Sequence, residues 1–178
     1  MKRFPLSVAA FLSVAALLSV AACGDADAAS EASPGVATRS AAAAQVATAS
    51  EQALPKIVVF KTEGCGCCNG WVEHLQAAGF EVDARNVTDL MSVKRDAGVP
   101  GSNASCHTAL VDGYVVEGHV PAAVIKRMLA ERPDIAGVAV PGMPTGSPGM
   151  EGPGARPYDV LTFDRQGRNT VYTTVDPR

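Results

Sequence analysis

The stretch IVVFKTEGCGCCNGWVEHLQAAG, residues 57–79, decides the fold. Its opening run, residues 57–61, is rich in β-branched residues and has the length of a buried strand. From Trp71 to Ala78 the apolar residues share one side of a helix, and Gly79 stands where helices commonly end. Between strand and helix lies the motif Cys65-Gly66-Cys67-Cys68. The sequence therefore predicts a strand, a cysteine-containing turn and a helix in immediate succession.

The residues that follow continue the alternation of strands and helices. Residues 80–87 alternate with period two, as a strand does, and Thr88 can cap a helix that runs to about Ala97. Asp112-Gly113 is a two-residue hairpin turn, and residues 121–133 form a helix with a proline at each end. The order β-α-β-α-β-β-α resembles the thioredoxin/glutaredoxin fold. We therefore expect an α/β domain with a mixed sheet and flanking helices.

A loop rich in Met, Gly and Pro follows over residues 139–154, and its composition excludes helix and central strand. Met143 and Met150 in this loop carry thioethers, which are soft donors suited to Cu(I). The alternative is that both side chains pack the loop against the domain. Residues 158–163 and 170–174 are predicted to form a closing hairpin.

The first 54 residues predict export. Residues 1–22 have a positive start, an apolar run too short for a comfortable membrane span and a small-residue end before Cys23, as in a lipoprotein signal peptide. We expect Cys23 to be lipidated and residues 23–54, rich in Ala, to be a disordered tether for a domain at 55–178. The domain would then lie on the periplasmic side of a bacterial membrane, with the outer membrane favoured. Cleavage without lipidation would leave a soluble periplasmic protein.

Charge narrows the classes of partner. The chain has 15 Lys and Arg against 18 Asp and Glu, a net charge of −3, and so lacks the basic surplus that nucleic acid requires. Contact with a membrane is expected through the N-terminal lipid alone. The cysteines are more informative, because four of the five, at positions 65, 67, 68 and 106, fall in or near one constellation.

Three of these cysteines stand where a helix is predicted to begin. A thiol there meets free backbone N–H groups and the positive end of the helix dipole, and both favour the thiolate that binds metal or attacks disulfides. Cys65 and Cys68 have the C-x-x-C spacing that brings two sulfurs to one side. At about 100° per residue, Cys67 is predicted to project away from Cys65. Three thiolates arranged in this way would not converge on one ion, but they could bridge several.

The fourth cysteine, Cys106, is placed by register just before the predicted strand that leads to Asp112-Gly113. In thioredoxin-like folds the corresponding loop faces the C-x-x-C motif and usually carries a cis-proline. His107 takes roughly the place of that proline. We therefore expect Cys106 to lie over the other three sulfurs.

Motifs spread over most of residues 57–175 resemble the CopG-type copper-resistance proteins, long known as a domain of unknown function. The segments that carry the resemblance are 65–68, 105–109, 113–114, 117–122, 140–144 and 149–150. The resemblance implies an exported thioredoxin-like protein that binds a thiolate-bridged cluster of several copper ions. The cysteines of the family correspond to Cys65, Cys67, Cys68 and Cys106. Candidate additional ligands are His107, His119, Met143 and Met150.

The function most consistent with these residues is sequestration, transfer or redox buffering of Cu(I) in copper resistance, as a metal-binding protein rather than an enzyme. Other periplasmic copper-handling proteins are the expected partners. A thiol-disulfide oxidoreductase that uses Cys65 and Cys68 is the alternative, since an exported protein meets an oxidising compartment. Two structural disulfides, or a four-cysteine Zn site, would also use all four thiols.

The remaining candidates have ordinary structural alternatives. His107 is either a ligand or a hydrogen-bond donor beside one, and His119 at a strand-to-helix junction can serve as a polar cap. Trp71 is expected in the core under the site, and His74 beside it as an exposed or packing residue.

Overall fold

The computed structural model describes residues 53–178, and the predictions for residues 1–22, for Cys23 and for nearly all of the tether lie outside them. Within the described part, seven strands, three α-helices and a short 3-10 helix form an α/β domain. The elements are β1 Ile57–Lys61, α1 Gly66–Ala77, β2 Val82–Asn86, α2 Leu90–Asp96, the 3-10 helix Gly101–Asn103, β3 His107–Val111, β4 Tyr114–Glu117, α3 Ala122–Glu131, β5 Gly137–Ala139, β6 Tyr158–Phe163 and β7 Asn169–Val175.

The strands form one mixed sheet in the order β2-β1-β3-β4-β5-β6-β7. β1 pairs parallel with β2 and antiparallel with β3, and β3 pairs antiparallel with β4. This arrangement confirms the thioredoxin-like mixed sheet. β5 then pairs parallel with β4, and β6 and β7 extend the sheet as the predicted closing hairpin.

The main core lies between the sheet and the helices α1 and α3. Trp71 and Leu75 of α1 pack there with Ile125 and Met128 of α3, all four fully buried. The Trp71 indole N–H also donates at 2.8 Å to the carbonyl oxygen of Val120, which lies two residues before α3 and so links α1 to the segment that leads into α3. A smaller cluster on the opposite face of the sheet contains Val115, Ala139 and Phe163. Ala97 and Val99, which follow α2 in the chain, pack against it.

The first helix begins five residues earlier than the sequence pattern predicted. α1 starts at Gly66, so that Cys67 and Cys68 lie in its first turn and Cys65 is its N-cap residue. The pattern missed this turn because its residues are small or polar and carry no apolar period. This earlier start fixes the direction of three sulfurs.

Other boundaries also differ from expectation. Asp89, not Thr88, caps α2, and its carboxylate accepts the Ser92 backbone N–H at 3.0 Å. The three-residue strand β5 was not predicted, and Leu54, placed in the tether, packs against the edge of the core. Among the described residues, no helix combines the length and apolar character needed to cross a bilayer.

Candidate metal centre

The four predicted sulfurs come together at one end of the sheet. Cys65, Cys67 and Cys68 stand at the start of α1, and Cys106 immediately precedes β3. The Cys67 sulfur lies 3.5 Å from that of Cys65 and 3.9 Å from that of Cys106. All four sulfurs lie within 4.8 Å of one another. Cys106 therefore does lie over the motif, as its position before β3 predicted.

The predicted divergence of Cys67 from Cys65 is wrong. Cys65 is not in the helix, because its backbone is extended, with φ −69° and ψ 93°. The rotation of 100° per residue therefore does not apply between these two positions. The extended backbone at Cys65 lets the sulfurs of both residues face the same space.

Cys65 and Cys68 form a disulfide bond in this structure. Among the described residues, Cys67 and Cys106 are the free thiols, and both are half-buried. The site is thus shown in a state with one disulfide and two thiols. Four thiolates are available to a metal only after that disulfide has been reduced.

The thiol of Cys106 lies close to two histidine nitrogens. Its sulfur lies 2.8 Å from Nε2 of His119 and 3.3 Å from Nδ1 of His107. Burial, followed by the neighbouring Cys67, raises the pKa of Cys106 to about 12. Cys106 is therefore protonated at neutral pH when metal is absent, and a metal ion must displace that proton in order to bind.

His119 is oriented by the Gly/Pro-rich loop, residues 140–157 between β5 and β6. Its Nδ1 lies 2.8 Å from the carbonyl oxygen of Pro148, which can only accept, so Nδ1 carries the proton. The lone pair of Nε2 then faces Cys106. Burial lowers the pKa of His119, which favours the neutral form that ligates metals. His119 does not cap α3, because Nε2 of His74 accepts the Ala122 backbone N–H at 3.0 Å.

His107 is fully buried, and its ring centre lies 4.2 Å from that of Trp71. Trp71 is therefore the floor of the site, as predicted. Burial, followed by the positive influence of His119 and Lys94, lowers the pKa of His107 to about 3. Its Nε2 is the one buried side-chain nitrogen or oxygen in the described chain that has no hydrogen-bond partner.

The Gly/Pro-rich loop closes over the start of α1 at Gly149. A Cβ on Gly149 would lie 2.4 Å from the carbonyl oxygen of Cys67 and 2.7 Å from the backbone nitrogen of Trp71. Met150, the next residue of the loop, is half-buried. Met143 lies seven residues earlier in the loop and is 53% exposed, so it does not pack the loop against the domain as the alternative interpretation allowed.

Comparison with solved structures identifies two relatives of this chain. Two solved structures, of Copper resistance protein copG in Form 2 and Form 1, are 46% identical to this chain, with TM-scores of 0.65 and 0.64. Each comparison covers 68% of this chain and 98% of the solved chain. The chain belongs to the CopG copper-resistance family. Residues 103–150 also match the family described as "Protein of unknown function, DUF411". No curated protein is significantly similar to the chain.

Membership of the CopG family confirms the resemblance seen in the sequence, and the thioredoxin-like domain agrees with it. The segment that matches the family of unknown function includes Cys106, both buried histidines and both loop methionines. Together with a cysteine cluster able to hold metal, these relationships indicate a copper-related role.

Proposed function

We propose that this protein is an exported copper carrier that holds several Cu(I) ions between the thiolates of Cys65, Cys67, Cys68 and Cys106 in copper resistance. The observation that carries the proposal is the convergence of four sulfurs within 4.8 Å at the start of a helix. Thiolates are soft ligands that select Cu(I).

The spacing of the sulfurs suits bridging. Metal–sulfur bonds of about 2.3 Å place two thiolates on a shared ion no more than about 4.6 Å apart. The separations of 3.5 Å and 3.9 Å on either side of Cys67 fall within this limit. Cys67 lies between Cys65 and Cys106, which is the position of a sulfur that shares ions with both.

Nitrogen and thioether donors extend this set. Cys106, His107 and His119 form a second group of donor atoms within the same limit of 4.8 Å. We include His119 as a ligand candidate because its Nε2 lone pair faces the cluster. Met150 is a candidate through its place beside Gly149, and the exposed Met143 is suited to capture copper from outside.

The disulfide makes copper capacity depend on thiol redox state. A dithiol reductant that opens the Cys65–Cys68 disulfide supplies two electrons and two protons and yields two thiols, which release their protons to solvent when copper binds. The oxidised site keeps two thiols, and the reduced site has four. This dependence supports a redox-buffering role, in which a disulfide oxidant outside the cytoplasm takes two electrons from the thiolates of Cys65 and Cys68, the bond between their sulfurs forms, and copper is released.

Replacement of Cys106 tests the cluster. We expect the reduced wild-type chain to bind at least two Cu(I) per chain and Cys106→Ser to bind at most one, because the sulfur opposite the helix is lost. Met91→Ser is the matched control, since it removes an exposed sulfur on α2. Cu(I) titration against a chromogenic chelator measures both. Equal stoichiometry in wild type and Cys106→Ser would contradict the cluster.

A thiol-disulfide oxidoreductase is the second candidate, and the Cys65–Cys68 disulfide at the helix start favours it. The dithiol form would then reduce a disulfide substrate while its own cysteines become oxidised. Catalytic reduction of a model protein disulfide, lost in Cys65→Ser and retained in Cys106→Ser, would support this activity. No activity above that of free dithiol would reject it.

We further propose that the domain is exported and anchored through lipidated Cys23. The basis is the signal-like sequence of residues 1–22. Wild-type protein should sediment with membranes, and Cys23→Ala should be found in the soluble periplasmic fraction. Membrane association of Cys23→Ala equal to that of wild type would overturn the anchor.

A further inference from the structure

A buried ion pair joins Lys94 of α2 to Glu117 of β4. Neither residue is a candidate copper ligand. Lys94 and Glu117 have side chains that are 5% and 0% exposed, and Nζ of Lys94 lies 2.5 Å from Oε1 of Glu117. The ammonium also donates to the hydroxyl oxygen of Thr108 at 3.1 Å. A buried ion pair often stabilises a fold no better than an apolar pair of the same size. Its presence therefore calls for a role other than packing.

The carboxylate of Glu117 holds the chain on both sides of Cys106. The Ser105 backbone N–H donates to Oε1 at 2.6 Å, and the Thr108 hydroxyl donates to Oε2 at 2.7 Å. Between these two points, the Gly118 backbone N–H donates to the carbonyl oxygen of His107 at 3.1 Å. One buried side chain at the end of β4 thus anchors both flanks of the loop that presents the cysteine.

The approach of β4 to this loop is close. Gly118 has a φ of +70°, and a Cβ on it would lie 2.6 Å from Cβ of Ser105 and 2.6 Å from the carbonyl oxygen of Val140. Only a residue without a side chain allows this approach. Glu117 is thereby brought within reach of the Ser105 backbone.

We propose that Glu117, oriented by Lys94, is a positioning residue that holds Cys106 at the distance from the C-x-C-C motif that copper binding requires. The part of this inference that concerns copper rests on the proposed function. The part that concerns the loop does not, because it can be measured in the copper-free protein.

Two double variants separate the hydrogen bond to Ser105 from the ion pair. Both Lys94→Met/Glu117→Gln and Lys94→Met/Glu117→Leu remove the two charges together, so neither leaves a buried charge unpaired. The glutamine keeps a carbonyl acceptor for the Ser105 N–H, and the leucine does not. The two double variants thus differ in whether residue 117 can hold the loop through hydrogen bonds to Ser105 and Thr108.

We expect Lys94→Met/Glu117→Leu to lose about 10- to 100-fold in Cu(I) affinity, as do other variants that release a ligand from its supporting contacts. Its Cys106 should also be alkylated at least about tenfold faster in reduced, copper-free protein, since the loop is released. Lys94→Met/Glu117→Gln should stay within about threefold of wild type in both measurements. Equal copper affinity in the two double variants overturns the proposal.

A measurement on the unmodified protein keeps the inference testable if the leucine variant does not fold. Hydrogen exchange of the Ser105 amide should be strongly protected in the reduced, copper-free wild-type chain. Exchange as fast as in an exposed loop would overturn the proposal. If wild type binds no copper, the proposed function fails, and slow alkylation and slow exchange still decide the positioning role.

Discussion

His107 is fully enclosed, with Trp71 stacked on its ring and the edge of His119 at 5.0 Å between ring centres. Such an enclosure admits a neutral imidazole and excludes a charged one. The ring therefore serves the site as a neutral group in contact with Cys106. Its titration provides a direct probe of that enclosure.

Stability should fall as pH decreases, and His107 should contribute to the slope. Its pKa is lowered from 6.5 to about 3 in the folded protein, so between these values the unfolded chain binds a proton that the folded chain does not. The free energy of unfolding then falls by up to about 1.4 kcal/mol per pH unit for this group. His107→Phe keeps an aromatic ring against Trp71 and removes that contribution.

Urea unfolding of the reduced, copper-free wild type and His107→Phe between pH 6 and pH 4 measures the difference. We expect the variant to lose stability less steeply, by about 1 kcal/mol per pH unit. His74 and His119, whose pKa values burial also lowers, titrate in both proteins and cancel in the comparison. Parallel curves would show that His107 is accessible to protons.

At the scale of elements, the contact between the Gly/Pro-rich loop and α1 shapes the site. Gly149 lies against Gly70, where a Cβ on Gly70 would be 3.0 Å from Cα of Gly149. The same loop holds His119 through the carbonyl of Pro148. The loop is thus a fixed wall of the site, held by backbone contacts that no larger residue permits.

Gly149→Ala should therefore destabilise the protein more than an ordinary glycine replacement. The Cβ meets backbone atoms of Cys67 and Trp71 at less than 3.0 Å, which adds about 1–3 kcal/mol to the cost of a positive φ. Gly154→Ala is the control, because its φ of +83° is as unfavourable but no atom lies within 4 Å of its Cβ. Chemical denaturation of both variants measures the difference, and equal losses would contradict the close contact.

The strands and helices with a clear apolar period were predictable, and those without one were not. β1, the Asp112-Gly113 hairpin, α3 and the closing hairpin follow from local pattern. The first turn of α1 and the strand β5 do not, because small residues form the turn and three residues form the strand. Both depend on tertiary packing, which overrides local propensity.

The site was predictable in composition and not in detail. Register placed Cys106 just before the strand that leads to Asp112-Gly113, and the resemblance to thioredoxin-like folds predicted that this loop faces the motif. The sulfurs of Cys65 and Cys67 face the same space because Cys65 is the N-cap residue and has an extended backbone. The spacing of the cysteines in the sequence does not reveal that backbone conformation. The role of Glu117 was not predictable, because it depends on tertiary contacts with Lys94, Ser105 and Thr108. In the sequence, Glu117 was only the last residue of a predicted strand.

At the scale of the whole molecule, the sheet gathers the site from distant parts of the chain. The register places Lys61 at the end of β1 opposite His107 at the start of β3, and Thr108 opposite Glu117 at the end of β4. Because β5 runs parallel to β4, its carboxyl end lies at this same end of the sheet. Residues 140–157 therefore emerge beside the cysteines, which explains how a loop so late in the chain reaches α1.

The central claim is that the four sulfurs hold copper together only when all are reduced. The direct measurement is the number of copper ions bound per chain, with a free-thiol count of the same sample, before and after the Cys65–Cys68 disulfide is formed. We predict two or more Cu(I) with four reduced site thiols, and at most one when the disulfide precedes copper. Equal copper content in both states, or none in the reduced state, would contradict the account.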